Sequence, residues 1–233
     1  RQTAKYLYII YFTLTMIEVI FLLFGGMNLF EALTTSFGTA GTGGFAIWND
    51  GFVSVSPYNQ WVVTIFMLLF GVNFGFYFLI LTGKLRDALK FEEVRIYFII
   101  VIASAVFIFI NLWHFALYAP AEGIRHAFFQ VASIITTTGF ASANFDLWPE
   151  TSRTILVILM FIGACAGSTG GGIKVSRFII AFKSFIKEII SYLHPRSVKK
   201  IKVEGKPLEH ETLRATNVYF MTYMVIFAVS VLL

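Results

Sequence analysis

The stretch TGGFA (Thr42–Ala46) has a near copy, TTGFA (Thr137–Ala141), 95 residues further along the chain. Each copy lies between two apolar stretches long enough to cross a bilayer, yet neither copy is apolar enough to be a span itself. A Thr and Gly segment inside a membrane protein presents backbone carbonyls where water is scarce, and such carbonyls can replace the hydration shell of a small cation. The repeated stretch therefore predicts the lining of a cation path. A helix-capping turn is the plainer alternative for either copy taken alone.

A short amphipathic stretch precedes each copy. NLFEALTTSFG (Asn28–Gly38) leads into the first copy and EGIRHAFFQVASII (Glu122–Ile135) into the second. A full crossing needs about 20 apolar residues, so these stretches predict half-membrane helices that enter and return. The predicted unit is a span, a re-entrant half helix, an extended filter-like segment and a second span. Five stretches qualify as spans: Ala4–Phe24, Trp61–Leu81, Tyr97–Tyr118, the interrupted Thr154–Phe182, and Leu213–Leu233.

This unit occurs twice in the same orientation. A shift of 95 residues places Gly44 on Gly139, and it places the first and second spans on the third and fourth. Basic residues concentrate before the first span, between the second and third, and between the fourth and fifth, so the positive-inside rule puts these segments in the cytoplasm. The sequence thus predicts an all-α integral membrane protein of parallel repeats. The predicted boundaries are 1–95 and 96–193 for two repeats, 194–211 for a basic cytoplasmic loop, and 212–233 for the first span of a further repeat.

Composition agrees with a multi-pass membrane protein. Of the 233 residues, 58% are hydrophobic and 13% are charged, whereas a soluble domain carries about 25% charged residues. The net charge of +5 comes from clusters at span ends, so we expect it to set topology rather than to bind nucleic acid. Cys165 is the single cysteine, and neither a disulfide framework, a metal-ligand spacing nor an enzyme's catalytic pattern is visible. The chain begins and stops inside spans, at Arg1 and Leu233, so we expect it to be part of a longer polypeptide.

The fourth span is interrupted by GACAGSTGGGIK (Gly163–Lys174), with five glycines in its first ten residues. Each glycine costs a helix about 1 kcal/mol relative to alanine, so this run cannot maintain an ordinary transmembrane helix. We interpret the loop as a movable constriction of a permeation path, with close helix packing as the alternative. Nucleotide binding is disfavoured because Ile173 separates Gly172 from Lys174. Lys174 is interpreted as an electrostatic barrier or latch, with snorkelling toward the interface as the alternative.

Together, the two Thr-x-Gly-Phe segments and the string GACAGSTGGGIKVSR (163–177) resemble the Trk/Ktr/HKT superfamily of potassium-transporting membrane proteins, closest to its bacterial TrkH/TrkG branch. The resemblance implies four repeats of span, pore helix and span around one pseudo-fourfold pore, of which this chain holds the second and third. It also implies that backbone carbonyls bind the ion and that the Gly-rich loop is the gate. The implied filter residues are Thr42, Gly43, Gly44, Thr137, Thr138 and Gly139, and the implied gating residues are Gly167, Ser168, Thr169, Gly170, Gly171, Gly172 and Lys174.

Function and partners follow from the same resemblance. Potassium would be the transported ion, without a covalently bound cofactor, in a multi-pass protein surrounded by the lipid of a bacterial inner membrane. The implied partners are a cytoplasmic nucleotide-binding regulatory ring, similar to TrkA, and a second copy in a homodimer. The basic loop 194–211 is the candidate docking surface for the ring. Two other functions are compatible with the sequence: a Na⁺- or H⁺-coupled potassium symporter of the same fold, and a non-conducting membrane scaffold subunit.

Overall fold

A computed structural model describes residues 2–194, 201–204 and 206–232, and most of these residues are helical. The chain divides into two compact units, Arg1–Lys174 and Val175–Leu233. The first unit contains α1 (Gln2–Phe24), α2 (Leu29–Ala40), α3 (Pro57–Phe70), α4 (Phe74–Leu81), α5 (Leu85–Leu89), α6 (Glu92–His114), α7 (Pro120–Ile135) and α8 (Glu150–Ile162), with a 3-10 turn at Phe145–Leu147. The second unit contains α9 (Val175–Leu193), β1 (Lys202–Val203), β2 (Lys206–Pro207) and α10 (His210–Leu232).

Three of the predicted spans are single helices. α1, α6 and α10 contain the stretches Lys5–Phe24, Glu92–His114 and Glu211–Leu232, each long and apolar enough to cross a membrane. Many large apolar side chains on these helices are exposed, as Tyr8 is at 76% and Leu232 at 86%. Such continuous apolar surface is typical of helices that face lipid. The prediction of a helical membrane protein is confirmed.

The second predicted span, Trp61–Leu81, is broken. α3 and α4 are separated by residues 71–73, and the two helices meet at 88°. Asn73 starts the new helix, because its Oδ1 accepts a hydrogen bond from the backbone N–H of Gly75 at 2.8 Å and so caps α4. The prediction of an uninterrupted span was wrong, because one cap residue hardly changes the average hydropathy of a long apolar run.

The two half helices lie where the sequence predicts them. α2 has 12 residues and α7 has 16, which at 1.5 Å per residue gives about 18 Å and about 24 Å, less than the roughly 30 Å of the hydrocarbon core. α2 begins with a capping box, in which the side chains of Asn28 and Glu31 accept each other's backbone N–H. One residue separates the end of each helix from its repeated stretch, so both helices aim their C-terminal ends at these stretches.

A buried aromatic cluster joins the two predicted repeats. The ring of Phe52 is fully buried, and its centroid lies 4.6 Å from that of Phe140 and 5.5 Å from that of Phe129. The backbone N–H of Phe52 also donates to the carbonyl of Ala141 at 2.7 Å. Because Phe140 and Ala141 belong to the second repeated stretch, these contacts hold that stretch against the chain that follows the first.

The fourth predicted span is interrupted at the Gly-rich loop, as the sequence predicts. α8 ends at Ile162, and the loop 163–174 returns to that end. The backbone N–H of Lys174 donates to the carbonyl of Ile162 at 3.0 Å, and the N–H of Ile173 donates to that of Phe161 at 3.3 Å. The loop is therefore a closed excursion from the end of α8 rather than a simple kink.

The second unit is a helix pair with a short hairpin between its members. α9 and α10 contact each other through Phe178 and Phe220, whose ring centroids are 5.3 Å apart. β1 and β2 pair antiparallel over two residues each, a small departure from the all-helical prediction. Part of the predicted basic loop, including Arg196, Lys199 and Lys200, lies outside the described residues.

Candidate functional site

The first repeated stretch leaves α2 by a tight exit. The backbone N–H of Thr42 donates to the carbonyl of Thr39 at 3.2 Å, and the N–H of Gly43 donates to that of Gly38 at 2.9 Å. Two residues of the stretch have positive φ, Thr42 at 49° and Gly44 at 73°. Since the helix end uses these N–H groups, carbonyl oxygens are the backbone groups that the stretch can offer to a ligand.

The second repeated stretch leaves α7 by the same pattern. The N–H of Thr137 donates to the carbonyl of Ile134 at 3.0 Å, and the N–H of Thr138 donates to that of Ser133 at 2.8 Å. Positive φ again occurs at the first Thr and at the Gly, with Thr137 at 59° and Gly139 at 88°. Positive φ at the first Thr, together with these two hydrogen bonds, is the Schellman arrangement of a helix C-terminus, so both stretches begin as helix caps of the same form. The two stretches share one backbone conformation.

The glycines of the two stretches lie against each other. A Cβ placed on Gly44 would overlap the carbonyl oxygen of Thr138 and would lie 3.4 Å from the Cα of Gly139. A Cβ placed on Gly139 would lie 3.5 Å from the Cα of Gly44. The fold thus brings the six predicted filter residues to one place. We call Thr42–Gly44 and Thr137–Gly139 the candidate filter segments.

Polar side chains of α7 brace the chain that follows the second candidate filter segment. Ser133 Oγ donates to the carbonyl of Phe140 at 2.5 Å, and Gln130 Nε2 donates to that of Ala143 at 3.1 Å. His126 Nδ1 lies 2.9 Å from a serine hydroxyl in the same returning segment. The three side chains are spaced i, i+4 and i+7, so they share one face of α7. None was predicted as a site residue, although polar residues at helical spacing in a half helix were an available signal.

The Gly-rich loop lies directly against both candidate filter segments. The backbone N–H of Gly171 donates to Thr137 Oγ1 at 2.6 Å. The hydroxyl of Thr42 donates to the carbonyl of Thr169 at 3.4 Å, a longer contact. Predicted gating residues and predicted filter residues therefore belong to one site. The threonine side chains have a structural use that the sequence did not indicate, because they bind the backbone of the loop.

The first half of the loop lies against the break in the second span. The backbone N–H of Cys165 donates to the carbonyl of Gly71 at 3.0 Å, and the N–H of Phe74 donates to the carbonyl of Gly167 at 3.0 Å. A break at membrane depth releases backbone groups that need partners. Here the broken second span and the interrupted fourth span supply partners to each other.

Side chains of the loop also bind the loop itself. Lys174 Nζ donates to the carbonyl of Gly170, and Ser168 Oγ donates to the carbonyl of Cys165 at 2.6 Å. The ammonium group of Lys174 therefore lies on the loop backbone and adds a positive charge there. The role of Lys174 as an electrostatic barrier or latch stays a prediction.

The site offers neutral oxygen ligands. Across residues 2–194, 201–204 and 206–232, no three His, Cys, Asp or Glu side chains are grouped as a metal site. The C-terminal ends of α2 and α7 carry partial negative charge, which favours a cation near the candidate filter segments. Carbonyl oxygens with this support suit a monovalent cation that exchanges water for protein oxygen and then leaves again.

Comparisons with known proteins agree with one another. A family model described as TrkH, cation transport protein, matches residues 1–233. The chain is 36% identical over 235 residues to the Trk system potassium uptake protein TrkH of Escherichia coli (strain K12), covering 99% of this chain and 48% of that protein. It is 29% identical over 227 residues to the Trk system potassium uptake protein TrkG of the same strain, covering 95% and 46%.

A solved structure is similar over nearly the whole chain. The crystal structure of the potassium transporter TrkH from Vibrio parahaemolyticus matches with a TM-score of 0.91 and 32% sequence identity. The match covers 98% of this chain and 50% of that one. The chain therefore spans about half the length of the relatives that it matches.

Proposed function

Because the chain belongs to the TrkH family of cation transport proteins, we propose that it forms the central part of a potassium-uptake protein of a bacterial inner membrane. Potassium is the ion in the names of its relatives. One observation carries the proposal: two segments of the same backbone conformation meet at Gly44 and Gly139, and the Gly-rich loop binds both segments. The role is transport rather than enzymatic catalysis.

In this proposal the ion exchanges part of its water for backbone carbonyls of the candidate filter segments. The ligands are the carbonyls of Thr42, Gly43, Thr137 and Thr138. The C-terminal ends of α2 and α7 add a favourable field for a cation. Glycine lowers the backbone strain at 44 and 139, where φ is 73° and 88°, and at Gly44 an added Cβ would also overlap the opposite segment.

The Gly-rich loop is the gate in this proposal. It is bound to both candidate filter segments through Thr42 and Thr137, so a closed loop lies next to the ion path. The ammonium group of Lys174 is on the loop and repels a cation when the loop is closed. Opening requires the loop to give up its contact with Thr137 and to move away from the break at 71–73.

A complete pore in this proposal has four filter segments, two of which come from other parts of the polypeptide. Residues 1–95 and 96–193 form the second and third repeats, and 212–233 begins the fourth. The whole protein acts as a homodimer. A TrkA-like nucleotide-binding ring docks on the basic loop 194–211, whose positive charge can attract an acidic surface.

The test is ion uptake by the full-length protein in liposomes. We expect saturable Rb⁺ uptake that is preferred over Na⁺, and we expect Gly139→Ser to reduce that preference. Gly26→Ser is the matched control, because Gly26 has a φ of 85° but nothing within 4 Å of an added Cβ. Uptake that is indifferent to Gly139→Ser contradicts the filter assignment, and no uptake at all favours the scaffold role.

Two further measurements separate the parts of the proposal. Shortening the loop within 167–172 should raise the flux or remove its regulation, and an unaltered, still regulated flux contradicts the gate. Imposed Na⁺ and H⁺ gradients test whether potassium transport is coupled to a second ion. Rb⁺ uptake that depends on either gradient would indicate symport, and uptake that depends on neither would indicate channel-like conduction.

A further inference from the structure

A buried carboxylate binds the Gly-rich loop at a residue that the sequence did not single out. Glu93 is the second residue of α6 and is 4% exposed. Its Oε1 accepts a hydrogen bond from the backbone N–H of Ala166 at 2.7 Å, and its Oε2 accepts one from Asn73 Nδ2 at 3.4 Å. In the sequence, Glu93 lies in the charged segment between the second and third spans, where topology alone explains the charges.

Asn73 connects the same carboxylate to the break in the second span. Its Oδ1 caps α4 through the N–H of Gly75 at 2.8 Å, while its Nδ2 donates to Glu93. Gly167 of the loop approaches the same amide, since a Cβ there would lie 3.3 Å from Asn73 Oδ1. Three distant parts of the chain therefore meet at one carboxylate: the start of the third span, the break in the second, and the loop within the fourth.

Glu93 binds this half of the loop through its side chain, whereas the partners from the break in the second span are backbone groups. The N–H of Cys165 is bound by the carbonyl of Gly71, which is present whatever residue occupies position 71. The N–H of Ala166 has a charged side-chain acceptor, and charge-assisted hydrogen bonds are roughly twice as strong as neutral ones. Removing that carboxylate takes an acceptor from a partly buried N–H, which costs free energy only while the loop stays in place. Its loss therefore favours conformations in which this half of the loop has moved.

We propose that Glu93 is a latch that holds the first half of the Gly-rich loop, residues 165–169, against the break in the second span. The inference rests on the proposed function, because a latch on the loop regulates conduction only if the loop is the gate. Glu93 is a positioning residue that acts through Ala166 and Asn73. A movement of the N-terminal end of α6 then removes one of the hydrogen bonds that hold this half of the loop.

Cys165 is a natural reporter for this latch, because it is fully buried and adjoins Ala166. The experiment uses the full-length protein with its other cysteines replaced and measures the rate at which N-ethylmaleimide alkylates Cys165. We expect Glu93→Ala to raise that rate by about tenfold or more, and Glu93→Gln, which keeps one carbonyl oxygen, to raise it less. Asp87→Asn is the matched control for loss of a negative charge, since Asp87 is an exposed residue of α5; it should leave the rate unchanged.

A second reporter separates release of the loop from general loosening. Ala105→Cys, in a Cys165→Ser background, places a thiol at a fully buried position of α6. We expect its alkylation to stay slow when Glu93 is replaced. An unchanged rate at Cys165 overturns the latch, and so does an equal rise at both reporters. If Glu93→Ala fails to fold, the same two outcomes apply to Glu93→Gln.

Rb⁺ uptake by the same variants distinguishes the latch from the gate. Faster alkylation of Cys165 together with a raised basal uptake supports both. Faster alkylation with an unchanged, still regulated uptake supports the latch on the loop and contradicts the loop's role as the gate. An unchanged rate at Cys165 overturns the latch whatever the uptake does.

Discussion

Replacing three glycines by alanine, one at a time, distinguishes two sources of destabilisation. One is backbone strain at positive φ, and the other is steric overlap between the candidate filter segments. Gly26, Gly44 and Gly139 all have positive φ, at 85°, 73° and 88°. A residue with a Cβ pays about 1–2 kcal/mol in this region. The three sites differ in space: nothing lies within 4 Å of an added Cβ at Gly26, the nearest atom at Gly139 is 3.5 Å away, and at Gly44 the Cβ overlaps the carbonyl oxygen of Thr138.

The overlap at Gly44 is with backbone, so no side-chain rotation relieves it. One candidate filter segment must shift, and overpacking of this kind costs about 1–3 kcal/mol. We therefore expect a stability loss of about 1–2 kcal/mol for Gly26→Ala and for Gly139→Ala. For Gly44→Ala, strain and overlap together cost about 2–5 kcal/mol.

The assay compares the apparent unfolding temperature of the full-length variants in detergent with their Rb⁺ over Na⁺ preference in liposomes. Gly26→Ala and Gly139→Ala should unfold at similar temperatures, and Gly44→Ala should unfold lowest. Gly26→Ala should keep the parent's ion preference, whereas both filter variants should lose part of it. A Gly44→Ala variant that is as stable and as selective as Gly26→Ala would contradict the close contact of the two candidate filter segments.

Three further predictions concern the supports of the site. Thr137→Val removes the hydroxyl that accepts a loop N–H at 2.6 Å, at a cost of about 1–3 kcal/mol, so basal Rb⁺ uptake should rise. Thr42→Val, whose loop contact is 3.4 Å long, should change uptake less, and equal effects would contradict the assignment. Arg125→Met removes the hydrogen bond of 2.8 Å from Arg125 Nε to Gln60 Oε1. The loss of about 1.5–3 kcal/mol of stability should lower the unfolding temperature. A variant as stable as the parent would show that this contact contributes nothing. Phe52→Ala empties a fully buried aromatic position and should cost about 3–5 kcal/mol, so a small change in the unfolding temperature would argue against the aromatic cluster as a support.

Much of the fold could be predicted from apolar length and glycine content. α1, α6 and α10 follow from long apolar runs, and the loop 163–174 follows from its density of glycine. The break at 71–73 escaped prediction because the average hydropathy of the run stays that of a span, although Gly71 and Asn73 are typical residues for a helix end and a helix start. A cap acts through a single hydrogen bond, which a sliding average of hydropathy does not register.

The sequence alone was enough to predict the membrane class, and it contains the 95-residue repeat whose two Thr and Gly stretches meet in the structure. These are properties of chain order and local composition. The contacts between distant groups are visible only in the folded chain, such as Thr137 with Gly171 across 34 residues and Glu93 with Ala166 across 73. The physical reason is that each backbone N–H or C=O released by a break at membrane depth must find a partner within the protein. No local pattern records that partner, because folding brings it from a distant part of the chain.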